Sequence, residues 1–512
     1  MKKYLFIIVI ASLFACKKDF LNLVPKTSLS SASFFKDKGQ FNQALIAAYV
    51  PLRSVVHTGF YMDEMRSDNT FFTRYNANRG LETSTESLAT FLDDANSSAQ
   101  QNSPGNRYAD DYSGIARVNT VLTRISGADF AQSAKDSISG EALFLRAFYY
   151  FDLVQHYGGV PLQLEEITAP DQAFKPRNTA DEVYGQIVED LTTAIPLLPV
   201  VTAFPQTGRA SKGAAKVLLA YAYMSQGTKN YAGAETELLD VTRMNYSLLP
   251  DYASVFDPNN KNSSESIFEV QYMSDLVSGQ QSNFAWIFIP KTLNSEILTG
   301  FHGSTMNIFS GWNVPTQEMV DSYEPNDKRL PASIAVVEGT ISGVEDFTAR
   351  GLKSPVNYTP VAGITSFYMI KKYFHPPYIN EGNTPDDFPI FRYSGALLLL
   401  AECLVQENKN GQALPYLNQV RQRAGLAPLA EATADNVANE MRHELAFENH
   451  RWTDLIRTGK AIEVSNAKGV RLKALYGWLL PSSFNVTPNK LVFPIPAREL
   501  QINTQLTQNP GY

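Results

Sequence analysis

The run His443-Glu444-Leu-Ala-Phe447 begins as the zinc-protease His-Glu-x-x-His motif does, a pattern that sets two imidazoles one helical turn apart on one face. Position 447 is phenylalanine and the next histidine is His450, so the paired ligand is missing. Glu444 and Glu448 are one turn apart, about 5–6 Å on a helix, near the carboxylate spacing of a retaining glycosidase. Both would project from the same side of one rod, whereas that chemistry needs carboxylates flanking a bound sugar. Arg442, Arg451 and Arg457 share the stretch, which favours structural ion pairs, Glu448 with Arg451 and Asp454 with Arg457 at i,i+3. Residues 257 to 265 are rich in oxygen donors, but the sixth position is Asn262 and the twelfth Phe268, so the EF-hand glycine and glutamate are absent. There is no Gly-x-Ser-x-Gly elbow, and Gly158-Gly159 lacks a phosphate-loop lysine. The expectation is a protein that is not an enzyme, with no catalytic residue, metal or cofactor.

Binding a sugar needs other parts. The C–H face of a pyranose settles on the negative face of an aromatic ring, while its hydroxyls seek polar side chains at the edges. Candidates are therefore aromatic residues in irregular segments. Tyr108 follows Ser103-Pro-Gly-Asn-Arg107, and Trp286 and Trp312 lie in a loop-rich region, the latter between Gly311 and Asn313. Each could equally be a packing residue. Trp452 stands at helical spacing from Glu448 and reads as structural, and Trp478, after Gly477, is set aside.

The elements that must position such residues are mostly helical. Three- and four-residue apolar periodicity marks residues 39–56, 109–125, 134–157, 179–197, 211–226, 231–243, 392–407, 411–423 and 435–457. Pro51 predicts a kink in the first, and Gly158-Gly159-Val160-Pro161 a stop after the third. Several helices form pairs joined by short turns, the build of a tetratricopeptide unit without its exact consensus. Such pairs cannot bury their apolar faces alone and must stack. Between about 249 and 389 the texture changes to short strand-like runs separated by Pro, Gly, Asn and Ser, the natural place for ligand contacts. The organisation read from the chain is a leader (1–15), a tether (16–38), a helical region (39–248), the irregular region (249–389) and a second helical region with a tail (390–512). All of these are expected to fold as one unit.

Among 512 residues the formal net charge is −7, which leaves no basic field for nucleic acid. Met1-Lys2-Lys3 precedes an apolar run that ends at Leu13-Phe14-Ala15-Cys16. The run is too short to span a bilayer, and the small residue before cysteine resembles a bacterial lipoprotein signal, with Cys16 as the lipid-bearing first residue of the mature chain. Cys403 is the other cysteine; it lies in an apolar helical stretch and reads as a small buried hydrophobe.

The segment Glu141-Ala-Leu-Phe-Leu-Arg-Ala-Phe-Tyr-Tyr-Phe-Asp-Leu-Val-Gln-His-Tyr-Gly-Gly-Val-Pro-Leu162 resembles one from the SusD/RagB family of Bacteroidetes outer-membrane lipoproteins. Further likenesses follow in family order. They are Met65 to Thr70, Pro315 to Arg329, the stretch Arg442 to Arg457, Phe493-Pro-Ile-Pro496, and Gln508 to Tyr512. The resemblance implies a mainly α fold, four tetratricopeptide-like helix pairs supporting an irregular, loop-rich face with a few short strands. It implies capture of a glycan or other nutrient at the cell surface and delivery to a SusC-like TonB-dependent transporter. It also directs glycan contacts to Asp68 and Asn69, Tyr108 and Trp312, and Lys17-Lys18-Asp19 resembles the stretch that follows the cysteine in surface-exported members. The alternative is a tetratricopeptide-like interaction scaffold, or a lipoprotein for peptides or metabolites.

Overall fold

The computed structural model describes residues 34–73, 83–94, 103–274, 279–303, 310–343 and 346–512. The leader, Cys16 and most of the tether lie outside them. Helix α1 (Lys38–Tyr49) starts where the Asp37 carboxylate accepts from the Gln40 amide, and α2 (Leu52–Gly59) begins after Pro51. The predicted kink is thus a full break. A π-helical turn, Phe60–Glu64, follows directly. Then come α3 (Thr83–Thr90), α4 (Ser103–Ile125), α5 (Gln132–Tyr157), α6 (Ala180–Leu197), α7 (Lys212–Ser225) and α8 (Tyr231–Thr242).

Sequence-local devices set these ends. Thr179 and Glu182 form a capping box on α6, Ser211 caps α7, and Gly158, at φ +70°, terminates α5. Successive helices from α4 to α8 pack on one another. Glycine permits the closest approach: a Cβ on Gly114 of α4 would lie 2.3 Å from the Tyr149 ring of α5. The Tyr149 hydroxyl passes on to donate to the Ala48 carbonyl (2.6 Å), tying α1 to the same layer. In the second half α9 (Tyr393–Gln406) packs on α8, α10 (Asn410–Arg423) and α11 (Ala434–Glu444). The mainly helical scaffold of stacked pairs expected from the sequence is present.

The helix expected over 435–457 is two helices, α11 and α12 (Arg451–Arg457). Phe447 and Asn449 between them have φ of +67° and +62°, which no helix accommodates. The break turns Glu448 inward and lets Asn449 reach the π turn, its amide donating to Glu64 (3.2 Å) and its side chain to the Val56 carbonyl (3.0 Å). A further helix, α13 (Ala461–Leu475), was not legible as a separate element.

The middle region holds more strand than its texture suggests. In chain order the strands are β1 (Thr70–Phe71), β2 (Ser266–Val270), β3 (Val314–Pro315), β4 (Ile334–Ser342), β5 (Asp346–Lys353), β6 (Thr365–Ile370) and β7 (Phe388–Arg392). All pairings are antiparallel: β1 with β3, β2 with β7, and a sheet in the order β5-β4-β6. One large core runs from Phe41 to Ile495, and a smaller one, including Trp286, Val337, Phe347 and Met369, lies against the three-stranded sheet. No helix among the described residues is long and apolar enough to cross a membrane.

Candidate functional site

The carboxylates that suggested chemistry are spent on structure. Glu444 accepts from Arg329 (3.2 Å), Arg392 (3.0 Å) and Arg423, and Glu448 accepts from Arg392 (2.7 and 2.8 Å) and Lys372 (2.7 Å). Both are shut away from solvent. Burial alone would raise their pKa values, but the facing cations outweigh it and hold both below the ordinary carboxylate range. Of the pairs expected within the stretch, Asp454 with Arg457 forms (2.6 Å), whereas Arg451 turns to Asp68. His443 meets the Ser322 hydroxyl at 3.0 Å and lies against Tyr323. The described residues contain no group of three or more metal-ligating side chains. In the oxygen-rich loop Asp257 accepts from its own neighbour Asn259, and Glu265 is committed to Arg392 and Arg423. Cys403 is buried, donates to the Tyr231 carbonyl, and has its pKa pushed up to about 12 by that burial.

The five residues expected to touch ligand are all interior. Trp286 (0 % exposed) packs on Tyr378 in the smaller core, and Trp312 (3 %) lies behind Phe72 and Tyr61. Tyr108 falls inside α4, because that helix starts at Ser103, and it packs on Tyr112 and Tyr157. Asp68 takes a bidentate pair from Arg451 (2.8 and 3.0 Å) and lies 3.1 Å from Arg442. These cations overcome the effect of burial and keep its pKa far below the usual value. Asn69 bridges Glu64 (2.9 Å) and Arg442 (2.9 Å), and its carbonyl accepts from the Thr316 amide. The segment from Asp68 to Thr70 is therefore a brace that the aromatic and polar signals could not distinguish from a contact surface.

What it braces is a cleft of about 590 Å³. One wall is Phe71 and Phe72 at β1, with Leu472 and Leu475 of α13 and the loop residues Tyr476 and Trp478. The rest of the lining is β3, which pairs with β1, the short turn Gln317–Asp321, and Phe367 and Tyr368 of β6, which is an edge strand. Phe71 is nearly parallel to Tyr476 (20°) and to Trp478 (13°), with centroids 6.1 Å away in each case, and the latter two are 5.7 Å apart. Tyr476 is 39 % exposed, against 4 % for Phe71, so the stack rises from core to solvent. On the polar side Tyr368 donates to Gln317 (3.1 Å), Gln317 donates to Asp321 (2.8 Å), and Glu318 accepts a fork from Arg442 (3.0 and 2.8 Å).

The floor depends on Lys468 of α13. Its buried ammonium donates to the carbonyls of Met65 (3.0 Å), Ser67 and Thr70 (2.8 Å) and lies 5.4 Å from the Phe71 ring. Burial pushes its pKa down to about 7. Tiled aromatic faces edged by hydroxyl, amide and carboxylate groups are what stacking on a sugar requires. Sequence reasoning missed these residues, although Tyr476-Gly477-Trp478 met the criterion of aromatics in an irregular segment.

Comparison with known proteins agrees with this architecture. Residues 264–512 match the model described as "SusD family", and residues 19–224 match one described as "Starch-binding associating with outer membrane". SusD-like protein P25 of Formosa agariphila is 26% identical, the alignment covering 99% of this chain and 98% of that one. Among solved structures, a laminarin binding SusD-like protein superposes with a TM-score of 0.74 at 26% identity, covering 93% of this chain and all of the other. Surface glycan-binding protein A from Bacteroides thetaiotaomicron, solved in complex with laminarihexaose, gives 0.71 at 24% identity, covering 92% and 98%. With both halves of the chain matched in order and the fold shared over nearly its whole length, the protein belongs to the SusD/RagB family.

Proposed function

We propose that the protein is a non-catalytic glycan-binding lipoprotein of the outer membrane that holds an oligosaccharide in the cleft between Trp478 and Tyr368. The observation that carries this is the tiling of Phe71, Tyr476 and Trp478 opposite a polar rim, in a family whose members include glycan binders. Cys16 carries the lipid, the charged stretch after it directs the protein to the exterior, and the captured glycan passes to a SusC-like TonB-dependent transporter. Of the earlier candidates, Trp312, Asp68 and Asn69 support the cleft from behind, while Tyr108 and Trp286 pack elsewhere in the core.

Calorimetric titration against a panel of plant, algal, host and microbial oligosaccharides tests this. At least one glycan should bind, and Tyr476→Ala or Trp478→Ala should weaken it about tenfold or more with an unchanged melting curve, the scale of one lost aromatic contact. Binding that survives both substitutions would place the site elsewhere. The competing reading, an interaction scaffold built on the stacked helix pairs, predicts indifference to both and capture of a protein partner. Cys16→Ala should release the protein from membranes, and co-purification with the transporter tests delivery.

A further inference from the structure

The charged residues lining the cleft are two carboxylates, Glu318 and Asp321, and two cations, Lys468 and Arg471. Around them two carboxylates, Asp68 and Glu318, face three guanidiniums, Arg442, Arg451 and Arg471. Arg451 and Arg442 satisfy Asp68, and Arg442 also forks both oxygens of Glu318 at 3.0 and 2.8 Å. Among the described residues Arg471 is left with a single approach of 3.6 Å to an oxygen already taken, too long for a hydrogen bond. It lines the cleft, 44 % exposed, one turn beyond Lys468, whose ammonium has backbone carbonyls as its hydrogen-bond acceptors. Asp321, hydrogen-bonded by Gln317, also lines the cleft, and among the described residues it has no cation within ion-pair distance.

We propose that Arg471 is the specificity-determining residue of the cleft and that the glycan it selects bears an anionic substituent, a uronate carboxylate or a sulfate ester, on the unit seated over α13. A guanidinium with its fork unspent matches two anionic oxygens at once, and the neighbouring aromatic tile holds the ring carrying them. Asp321, on the turn that also carries Glu318, repels the charged edge of the sugar and so turns it toward Arg471. The inference rests on the cleft being the glycan site.

The test is calorimetry of the full chain with neutral hexaoses (cello-, xylo- and laminari-), with oligogalacturonate and oligomannuronate, and with sulfated carrageenan oligosaccharides. The uronate and sulfate arms separate the two anion sources. An acidic probe should bind about tenfold or more tighter than any neutral one, the scale of one charge-assisted bidentate contact. The advantage should shrink as salt rises from about 50 to about 500 mM. Arg471→Gln should abolish it, Arg471→Lys should retain part, and Asp321→Asn should enlarge it. A neutral hexaose that binds tighter than every acidic probe, or a preference unchanged in Arg471→Gln, overturns the assignment. Binding of neutral and acidic probes alike that ignores Trp478→Ala overturns instead the placement of the glycan site, and this inference with it.

Discussion

Replacing Glu448 with glutamine separates a structural carboxylate from a catalytic one. The amide keeps the volume but removes a charge that Arg392 contacts at 2.7 and 2.8 Å and Lys372 at 2.7 Å. The two cations are not equally exposed to the loss. Arg392 retains Glu265 (2.7 Å) and Glu444 (3.0 Å), whereas Lys372 keeps the Glu444 carbonyl at 3.5 Å and the ring faces of Tyr252 and Phe256 but no carboxylate hydrogen bond among the described residues. Breaking a buried pair by removing one partner costs about 3–5 kcal/mol, a large share of a typical net stability of roughly 5–15 kcal/mol. Burial already pushes the Lys372 pKa down to about 8, and removing its counter-charge lowers it further. In Glu448→Gln the folded state therefore sheds the Lys372 proton at a pH where the unfolded chain, near 10.4, keeps it. The unfolded state then binds more protons and stability rises with pH. Urea unfolding followed by tryptophan fluorescence should show a loss near the upper end of that range at pH 6 and a smaller one at pH 9. Lys372→Met in the same chain should recover part of the loss. A deficit below about 1 kcal/mol, less than a typical charged hydrogen bond, or one independent of pH, refutes this account of the network. Glycan affinity should stay unchanged, and a turnover abolished by Glu448→Gln in a fully stable protein would restore the glycosidase reading.

Other outcomes follow from the same structure. Trp286→Ala and Trp312→Ala should each cost about 3–5 kcal/mol in unfolding experiments, as large core truncations do, with glycan affinity preserved in whatever protein remains folded. Burial raises Glu64 and Glu269 to pKa values of about 7, so the folded state binds more protons than the unfolded one between about pH 4.5 and 7. Stability should rise as pH is lowered through that window, Glu64→Gln and Glu269→Gln should flatten the slope in pH-dependent denaturation, and below it the loss of the low-pKa carboxylates Asp68 and Glu444 should reverse the trend. Gly114→Ala places a methyl against the Tyr149 ring and should destabilise by about 1–3 kcal/mol, read by thermal unfolding.

How far the sequence revealed this molecule depended on the range of the forces involved. Helices α4 to α10 were legible because apolar periodicity, Thr179, Ser211 and Gly158 act within a few residues. The break at Phe447 and Asn449 was not, because it is imposed by distant partners such as Glu64 and Val56. The hairpin β4–β5 hid in a stretch whose Gly and Ser content suggested loop. The site suffered most. Trp312 has the flanking residues of a surface aromatic and Trp286 lies in a loop-rich stretch, yet packing by Phe72, Tyr61 and Tyr378 encloses them. Trp478 satisfied the same criterion and was passed over, since only assembly shows which aromatic faces remain open.

The Lys468 ammonium reaches carbonyls 398 to 403 residues earlier in the chain, and that span has an evolutionary meaning. The proposed binding surface does not belong to either half of the gene. Phe71 and Phe72 come from one matched segment, while Tyr368, Arg471 and Trp478 come from the other. During synthesis the first aromatic wall can meet Trp312 and β3 early, but Tyr476 and Trp478 only when the end of the chain arrives. A crossover between two related genes anywhere in their middle would join an inherited floor to a foreign rim. Ligand preference could then change in one recombination event, with no point mutation at all.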